Sequence, residues 1–327
     1  MFIHLDLDCF FFFFHRTIDN SLFHIPVAVG GRSNLNIFSS KKEIRKISSN
    51  SGAFVSSILT NEGMKSFKEY FVDENGKIRG IITTSSYEAR AFGVKTAMSV
   101  NEALSLCPHL KMLAPNYPLY HDLSNKLKEL LIKELPLVEQ YSIDEFFGDV
   151  SGYIDEHEIV EFAYYLKKKI FDELKLPISI GISNTKYLSK LITEYAKPDG
   201  IKYVSVDNIA NFTRDIPIKE FPGIGKAFQE KLKGYGIKTL GDIKKNQKLF
   251  YSWKQPGIDL YNRVCGIRDN KLTFEREKKS IGIGRTFDAI FDREELKRRV
   301  MILSRYLCFL VKKANVNPLT YAIKIRY

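Results

Sequence analysis

The sequence predicts an α+β protein of several domains, on three grounds. At 327 residues the chain is longer than one compact hydrophobic core requires, which predicts two to four domains. Segments in which apolar and polar residues alternate, as in half-buried strands, are interspersed with segments of helical periodicity. The last 125 residues differ from the rest because they are strongly basic and largely helical in pattern.

The order of elements is predicted from apolar periodicity and from Gly, Pro and Asn turn signals. In the first part, strands are predicted at Phe2–Asp8, Pro26–Gly31 and Ile81–Thr84, and helices from the Phe10–Phe14 block to about Leu22 and at Lys41–Ile47, Gly63–Tyr70, Tyr87–Phe92, Asn101–Cys107 and Leu119–Leu135. In the second part, a hairpin is predicted at Val138–Val150, strands at Pro177–Ile182, Lys278–Thr286 and Leu319–Tyr327, and helices at 156–173, Thr185–Tyr195 and Glu294–Lys313.

Composition favours a globular cytoplasmic protein. Apolar residues make up 44% of the chain and charged residues 27%, both ordinary values. No apolar run approaches the roughly 18–20 residues that span a bilayer, and the N-terminus has no signal-peptide pattern. The four cysteines lie far apart without CxxC spacing, and the six histidines form no metal motif, so reduced thiols are expected.

The basic excess lies entirely in the C-terminal part. Residues 203–327 contain 26 Lys and Arg against 13 Asp and Glu, a net charge of +13, whereas residues 1–202 contain 24 against 25, a net charge of −1. Such a region favours a polyanionic partner, with nucleic acid ahead of a membrane. A general contribution of charge to solubility is the alternative.

Carboxylates of the first strand and of the predicted hairpin form a candidate metal site. Asp6 and Asp8 share one face of the first strand, and Asp144 and Glu145 lie in the turn of the predicted hairpin. Brought together, these acids repel one another unless cations lie among them, and oxygen-only ligands favour Mg²⁺ or Mn²⁺. Two such ions about 4 Å apart are the usual device of in-line phosphoryl transfer. Taken singly, each acid is more simply a solvated residue at a strand end.

Other residues are suited to phosphate binding. Tyr87 and Arg90 share a face of a first helical turn behind the capping residues Thr84–Ser86, which suggests a triphosphate cradle. Lys197, at a helix end, is either a further phosphate contact or a C-terminal capping cation. Gly223 and Gly225, followed by a lysine-rich helix, favour a helix-hairpin-helix that binds DNA phosphates, with a tight helix–helix turn as the alternative.

The motifs together resemble one family. Asp-Leu-Asp-Cys-Phe-Phe, Tyr-Glu-Ala-Arg-Ala-Phe-Gly-Val, Cys-Pro-His-Leu, Ser-Ile-Asp-Glu, Ala-Lys-Pro-Asp-Gly and Pro-Gly-Ile-Gly-Lys follow one another as in Y-family, lesion-bypass DNA polymerases of the bacterial DNA polymerase IV (DinB) type. The resemblance implies a right-hand polymerase with a palm sheet, fingers, a helical thumb with the helix-hairpin-helix, and a partial little-finger α/β domain. The implied bounds are 1–9 and 116–202 for the palm, 10–115 for the fingers with an insertion at about 32–80, 203–272 for the thumb and 278–327 for the little finger.

The resemblance also implies roles for individual residues. It assigns the metal ions to Asp6, Asp144 and Glu145 with the Leu7 carbonyl, and makes Phe11 the steric gate against a ribose 2′-OH. It assigns the nucleotide to Phe10, Phe11, Thr84, Tyr87, Arg90 and Lys197, and DNA backbone contacts to Gly223, Gly225 and Lys226.

The implied activity is template-directed addition of deoxynucleotides to a primer 3′-OH by two-metal phosphoryl transfer, including synthesis past damaged bases and without proofreading. The implied cofactor is a pair of Mg²⁺ ions, with Mn²⁺ as an alternative. The implied partners are primer–template DNA, deoxynucleoside triphosphates and a sliding clamp bound through a C-terminal tail that this sequence does not contain; a membrane is not expected.

The sequence departs from the family pattern in three places. Phe12, Phe13 and Phe14 replace small or β-branched residues, 55 residues rather than about a dozen separate Gly31 from Tyr87, and the chain ends at Tyr327 within the expected little finger. The insertion could shield the nascent pair, contact a partner or have no function.

Two other classes of protein are weaker alternatives. A catalytically silent homologue that serves as a DNA-binding scaffold would have lost acids that this chain retains. A nucleotidyl cyclase on a similar palm is opposed by the helix-hairpin-helix and by the basic C-terminal part.

Overall fold

The structure, a computed structural model, describes residues 1–33, 35–38, 46–47, 58–59, 65–267, 271–274 and 279–325. The strands are β1 (Phe2–Leu7), β2 (Val27–Gly31), β3 (Lys46–Ile47), β4 (Ile58–Leu59), β5 (Ile81–Ser85), β6 (Lys111–Leu113), β7 (Leu137–Gln140), β8 (Glu145–Asp149), β9 (Ile178–Ser183) and β10 (Ile201–Tyr203). The helices are α1 (Phe10–Ile18), α2 (Phe67–Phe71), α3 (Tyr87–Ala91), α4 (Val100–Leu106), α5 (Tyr117–Glu134), α6 (Ile159–Leu174), α7 (Lys186–Glu194), α8 (Ile209–Thr213), α9 (Lys226–Gly234), α10 (Leu240–Lys245), α11 (Gln247–Ser252), α12 (Lys254–Cys265) and α13 (Arg293–Lys313).

A five-stranded sheet of order β10-β9-β1-β8-β7 forms the first unit, with β1 at its centre. Strand β1 is antiparallel to both β8 and β9, and β10 runs parallel to β9. The alternating Ile3, Leu5 and Leu7 are buried in a core shared with α5 and α6. The opposite face carries α7, which lies so close to β9 that a Cβ on Gly181 would come 2.2 Å from the Ser189 carbonyl oxygen. The sheet is therefore covered on both faces.

A three-stranded sheet of order β5-β2-β6 forms the second unit. Its core includes Ile82, Val100 and Met112, together with Tyr70 and Phe71 of α2. The ring of Phe71 is fully buried and packs closely against Gly30. A Cβ on Gly30 would come 2.5 Å from the nearest atom of this ring. The part of the 32–80 insertion that carries Phe71 is thus built into the core of this unit.

Helices α8 to α12 form the third unit and share a hydrophobic core. This core also takes in Leu188, Leu191 and Ile192 of α7, so the helical unit packs directly on the first unit. The C-terminal helix α13 follows and has no buried residue. Among the described residues, no helix is long and apolar enough to cross a membrane.

The α+β fold class is confirmed, and several individual elements are corrected. Residues 279–286 and 319–325 are not strands, because an isolated extended segment is stabilised only by pairing with a neighbour. Lys46–Ile47 is a short strand paired with β4 rather than the end of a helix, while residues 41–45 of that predicted helix lie outside the described residues. Glu145 is the first residue of β8, not part of the turn.

Candidate active site

Sheet pairing brings the acids of the first strand and of the hairpin together. Asp6 of β1 lies directly opposite Glu145 of β8. The N–H of Leu7 donates to the carbonyl oxygen of Asp144, 3.0 Å away, which ties the hairpin turn to the end of β1. The Ser142 hydroxyl donates to Asp144 Oδ1 at 2.5 Å and thereby orients that carboxylate. The backbone register thus fixes the three acids.

The electrostatics of this acidic centre favour cations. Burial raises the pKa of Asp6 to about 8; Lys197 opposes this rise, and the neighbouring Asp144 and Glu145 add to it. Burial likewise raises the pKa of Asp144, and Glu145 adds to that rise while the Ser142 hydrogen bond opposes it. A buried carboxylate among other carboxylates loses free energy on ionisation unless positive charge compensates it.

Two lysines provide positive charge at the acidic centre. Lys197 Nζ donates to Asp6 Oδ2 at 2.8 Å and to Glu194 Oε1 at 2.8 Å. Lys190 of α7 makes an ion pair with Glu145. Burial lowers the pKa of Lys197, but Asp6 and Glu194 outweigh it and raise that pKa overall.

Asp8 has a different environment from the other acids. Its carboxylate accepts hydrogen bonds from the Ser179 hydroxyl at 2.7 Å, the Asp199 N–H at 2.8 Å and the Tyr87 hydroxyl at 3.1 Å. These donors come from β9, from the loop after α7 and from α3. Asp8 therefore joins the second unit to the first.

The aromatic block lies at the start of α1. Cys9, the N-cap residue, is in the left-handed region with φ 46° and makes no side-chain capping hydrogen bond. The Phe11 ring stacks on Tyr120 with centroids 4.4 Å apart and meets the edge of Tyr117 at 6.2 Å. Phe10 also packs against Tyr120, at 6.0 Å. The two rings are fixed by helix α5.

The candidate nucleotide-binding residues lie on β5, on α3 and in the loop after α7. Thr84 is buried on β5, and the Arg90 guanidinium lies over the Tyr87 ring while its Nε donates to the Ser85 carbonyl at 3.2 Å. Burial raises the pKa of the Cys9 thiol to about 11, and Arg90 and Lys197 oppose that rise. Both cations therefore act electrostatically at the start of α1.

The candidate DNA-binding residues lie in the third unit, outside the acidic centre. Gly223 has φ +93° and is exposed, as are Gly225 and Lys226. Gly225 is the N-cap of α9, and a Cβ on either glycine would meet no atom within 4 Å. Between them, Ile224 is buried in the helical core and anchors the turn.

Sequence reasoning missed Lys190, Ser142 and His4. The buried His4 ring bonds to Thr193 Oγ1 at 2.8 Å, and its other nitrogen lies 3.8 Å from Glu145 Oε1. Burial lowers the pKa of His4 well below its usual value, and Lys190 adds to this effect. The spacing of Lys186 and Lys190, one helical turn apart, indicates that both lysines lie on the same face of α7. It does not indicate that Lys190 pairs with Glu145, because that contact depends on tertiary packing.

A second group of possible ligands occurs elsewhere. Asp155, His157 and Glu158 could place one ligand atom each within 4.8 Å of the others. All three are exposed in a loop before α6, where acidic groups are common without a metal.

Two family models match the chain. A model of the impB/mucB/samB family matches residues 5–194, and a model of the helix-hairpin-helix motif of the same family matches residues 206–237. The DNA polymerase IV of Photorhabdus laumondii is 31% identical over 322 residues, which cover 97% of this chain and 78% of the relative. The DNA polymerase IV of Clostridioides difficile is 32% identical over 283 residues, which cover 84% and 77%.

Solved structures show the same fold. An insertion ternary complex of Dbh DNA polymerase superposes with a TM-score of 0.65 at 22% identity and covers 83% of this chain and 69% of that one. DinB from Sulfolobus solfataricus gives 0.64 at 22% identity, covering 84% and 69%. With the family model matching more than half of the sequence, the chain belongs to the impB/mucB/samB family, the Y-family lesion-bypass DNA polymerases of the DNA polymerase IV type.

Proposed function

We propose that Asp6, Asp144 and Glu145 hold two divalent cations, Mg²⁺ in first place, with which this DNA polymerase adds deoxynucleotides to a primer 3′-OH opposite intact or damaged template bases. The chain is a DNA-directed DNA polymerase, and enzymes of its family are metal-dependent. The observation that carries the proposal is the register that sets Asp6 opposite Glu145 next to Asp144. Their oxygen-only donor set and the raised pKa of Asp6 fit divalent cations.

The chain's own residues position the substrate. Bound divalent ions would favour ionisation of the primer hydroxyl and offset charge on the triphosphate. Arg90 and Lys197 are suited to hold the phosphates. Lys197 would leave Asp6 for a phosphate oxygen when the nucleotide arrives. Phe10 would pack beneath the sugar, and Phe11 would close the space beside its 2′ carbon.

Primer–template DNA is the expected macromolecular partner. The exposed Gly223–Gly225 turn and Lys226 at the N-terminus of α9 would contact backbone phosphates without reading sequence. Thr84, the Leu7 carbonyl and the domain bounds keep the roles that the resemblance implies as predictions. Clamp binding and a cytoplasmic location also stay predictions. A silent scaffold is not favoured, because the three acids are present.

Primer extension tests the proposal. The wild-type protein should extend a primer on undamaged and lesion-bearing templates when Mg²⁺ is present. Asp144→Asn keeps the shape of the side chain but removes its charge, so extension should fall by orders of magnitude while DNA affinity stays nearly the same. Asp172→Asn, a change of an exposed acid on α6, is the matched control and should be fully active. Near-normal extension by Asp144→Asn would refute the assignment.

A further inference from the structure

The 32–80 insertion and the C-terminal segment contact each other directly. The Arg79 guanidinium lies 2.5 Å from Asp288 Oδ1, and the Thr286 N–H donates to the Ser33 hydroxyl at 3.2 Å. On α13, Arg298 Nη1 donates to the carbonyl oxygen of Phe38 at 3.0 Å. Polar contacts thus join the insertion to both the start of α13 and the extended segment before it.

An aromatic contact lies among these hydrogen bonds. Phe38 is buried, and its ring meets Phe287 edge to face with centroids 6.0 Å apart. The Arg299 guanidinium lies 4.9 Å from the centre of each ring, and Glu295 fixes that guanidinium with a hydrogen bond of 2.6 Å. A cation over two rings attracts both, so the cluster holds the two segments together.

Helix α13 has no hydrophobic core of its own to fix its position. None of its 21 residues is buried, although Val300, Met301 and Phe309 are apolar. Since α13 lacks a buried face, its position depends on the hydrogen bonds, ion pairs and ring contacts that it makes with the rest of the chain. The contacts with the insertion are of that kind.

We propose that the insertion is the docking surface for the C-terminal segment of the same chain. Ser33, Phe38 and Arg79 hold residues 286–299 against the three-stranded unit and so determine where the basic helix α13 lies. We call this set of contacts the clasp. It gives the insertion a function that is independent of the acidic centre, and it holds α13 in place before DNA binds.

Distance measurement between spin labels tests the clasp in the full chain without DNA. Cys308 on α13 is exposed and provides one label; Lys95→Cys, at an exposed position of the three-stranded unit, provides the other. Cys9 and Cys107 are buried, and the half-buried Cys265 is changed to Ser. The clasp predicts one dominant distance in this labelled protein.

Two variants weaken the clasp at different contacts. Asp288→Lys puts a cation against Arg79, and Phe38→Ala removes the ring beneath Arg299. In each variant, the population at the dominant distance should fall at least about threefold relative to the population at longer distances. This is the scale of one exposed ion pair or cation–π contact. Asp288 is exposed, so its variant should keep the melting temperature of the parent.

Glu294→Lys is the matched control. It makes the same change in charge as Asp288→Lys near the start of α13, but Glu294 pairs only with Lys297 of the same helix among the described contacts. Its distance distribution should equal that of the parent. Unchanged distributions in both Asp288→Lys and Phe38→Ala would overturn the proposal, as would an equal loss in Glu294→Lys.

Discussion

The ring of Phe11 is held on two sides by tyrosines of α5. Tyr120 stacks on it and Tyr117 meets its edge. Phe14, which lies on α1 as Phe11 does, also contacts Tyr120. In the proposed role of steric gate, a ring fixed in this way would not turn aside for an extra hydroxyl on the sugar. The phenylalanines at 12 and 14 are buried rather than exposed, so the replacement of smaller residues is absorbed by packing.

Phe11→Ala should admit ribonucleotides with little loss of deoxynucleotide use. Removing the ring opens the space beside the 2′ carbon, and it should also cost stability on the order of 3–5 kcal/mol, because the ring is buried. The ratio of ribonucleotide to deoxynucleotide incorporation measures the first effect, and thermal unfolding the second. Phe13→Ala, at a half-buried position of the same helix, should leave sugar discrimination unchanged. Equal discrimination in wild type and Phe11→Ala would place the gate elsewhere.

Residues whose partners lie along the sheet could be predicted from sequence, and residues whose partners lie across helices could not. Asp6 and Glu145 are brought together by strand pairing, and the alternation of apolar and polar residues predicts these strands. The three donors to Asp8 come from three separate elements, and no local pattern indicates such a contact. The same is true of Lys190, whose ion pair requires α7 to lie across the strand.

At the scale of elements, the insertion has two parts with different roles. Phe71 is in the core beside Gly30, whereas Ser33 and Phe38 contact the C-terminal segment. The Phe67–Phe71 segment forms helix α2, and its Tyr70 and Phe71 lie in the core of the three-stranded unit. Patterning could not predict the partner of Phe38, because that partner is about 250 residues away.

Phe71→Ala should lower the free energy of unfolding by roughly 3–5 kcal/mol, the usual cost of deleting a buried aromatic ring. The reason is that Phe71 is fully buried between Gly30 and the rest of the three-stranded unit. Denaturant unfolding measures the change. Lys68→Ala, at an exposed position of the same short helix, should change stability by less than about 0.5 kcal/mol. A small loss in Phe71→Ala would mean that α2 is not part of the core.

The strand predicted at the C-terminal end of the chain was wrong, because the segment has no neighbouring strand to pair with among the described residues. The segment Leu319–Ile325 alternates apolar and polar residues as a strand does, yet its apolar side chains are exposed and no ladder forms. The helix predicted at Glu294–Lys313 is present with nearly the same bounds, because its hydrogen bonds are internal. Helices need only their own residues, whereas strands need a second segment.

At the scale of the whole molecule, the excess of positive charge lies in a different part of the chain from the acidic centre. The net +13 of residues 203–327 lies in the helical unit and the C-terminal segment, while residues 1–202, which contain the carboxylates, have a net charge of −1. The expectation of a polyanionic partner rests on this distribution. It suggests that DNA is attracted mainly by surfaces other than the one that performs the chemistry.

DNA affinity should fall steeply with salt and hardly change with DNA sequence, because contacts to phosphates release counterions. Lys226→Ala removes one such contact, so the slope of log affinity against log salt should become shallower by about one. Titrations at several salt concentrations measure the slope. Lys168→Ala, at an exposed position on α6 of the sheet unit, is the control and should keep the wild-type slope. A salt-independent affinity would contradict the charge argument.

The ion pairs of Lys190 and Lys197 have a consequence for handling the protein without divalent ions. Glu145 and Asp6 each already face an ammonium group, so stripping cations with a chelator should not leave these carboxylates uncompensated. The melting temperature in excess chelator should therefore stay close to its value in Mg²⁺, although extension stops. Adding the ion back should restore activity at once, without a refolding step. A large drop in melting temperature in chelator would show that the two lysines do not compensate the carboxylates, and that the five-stranded unit depends on metal for its fold.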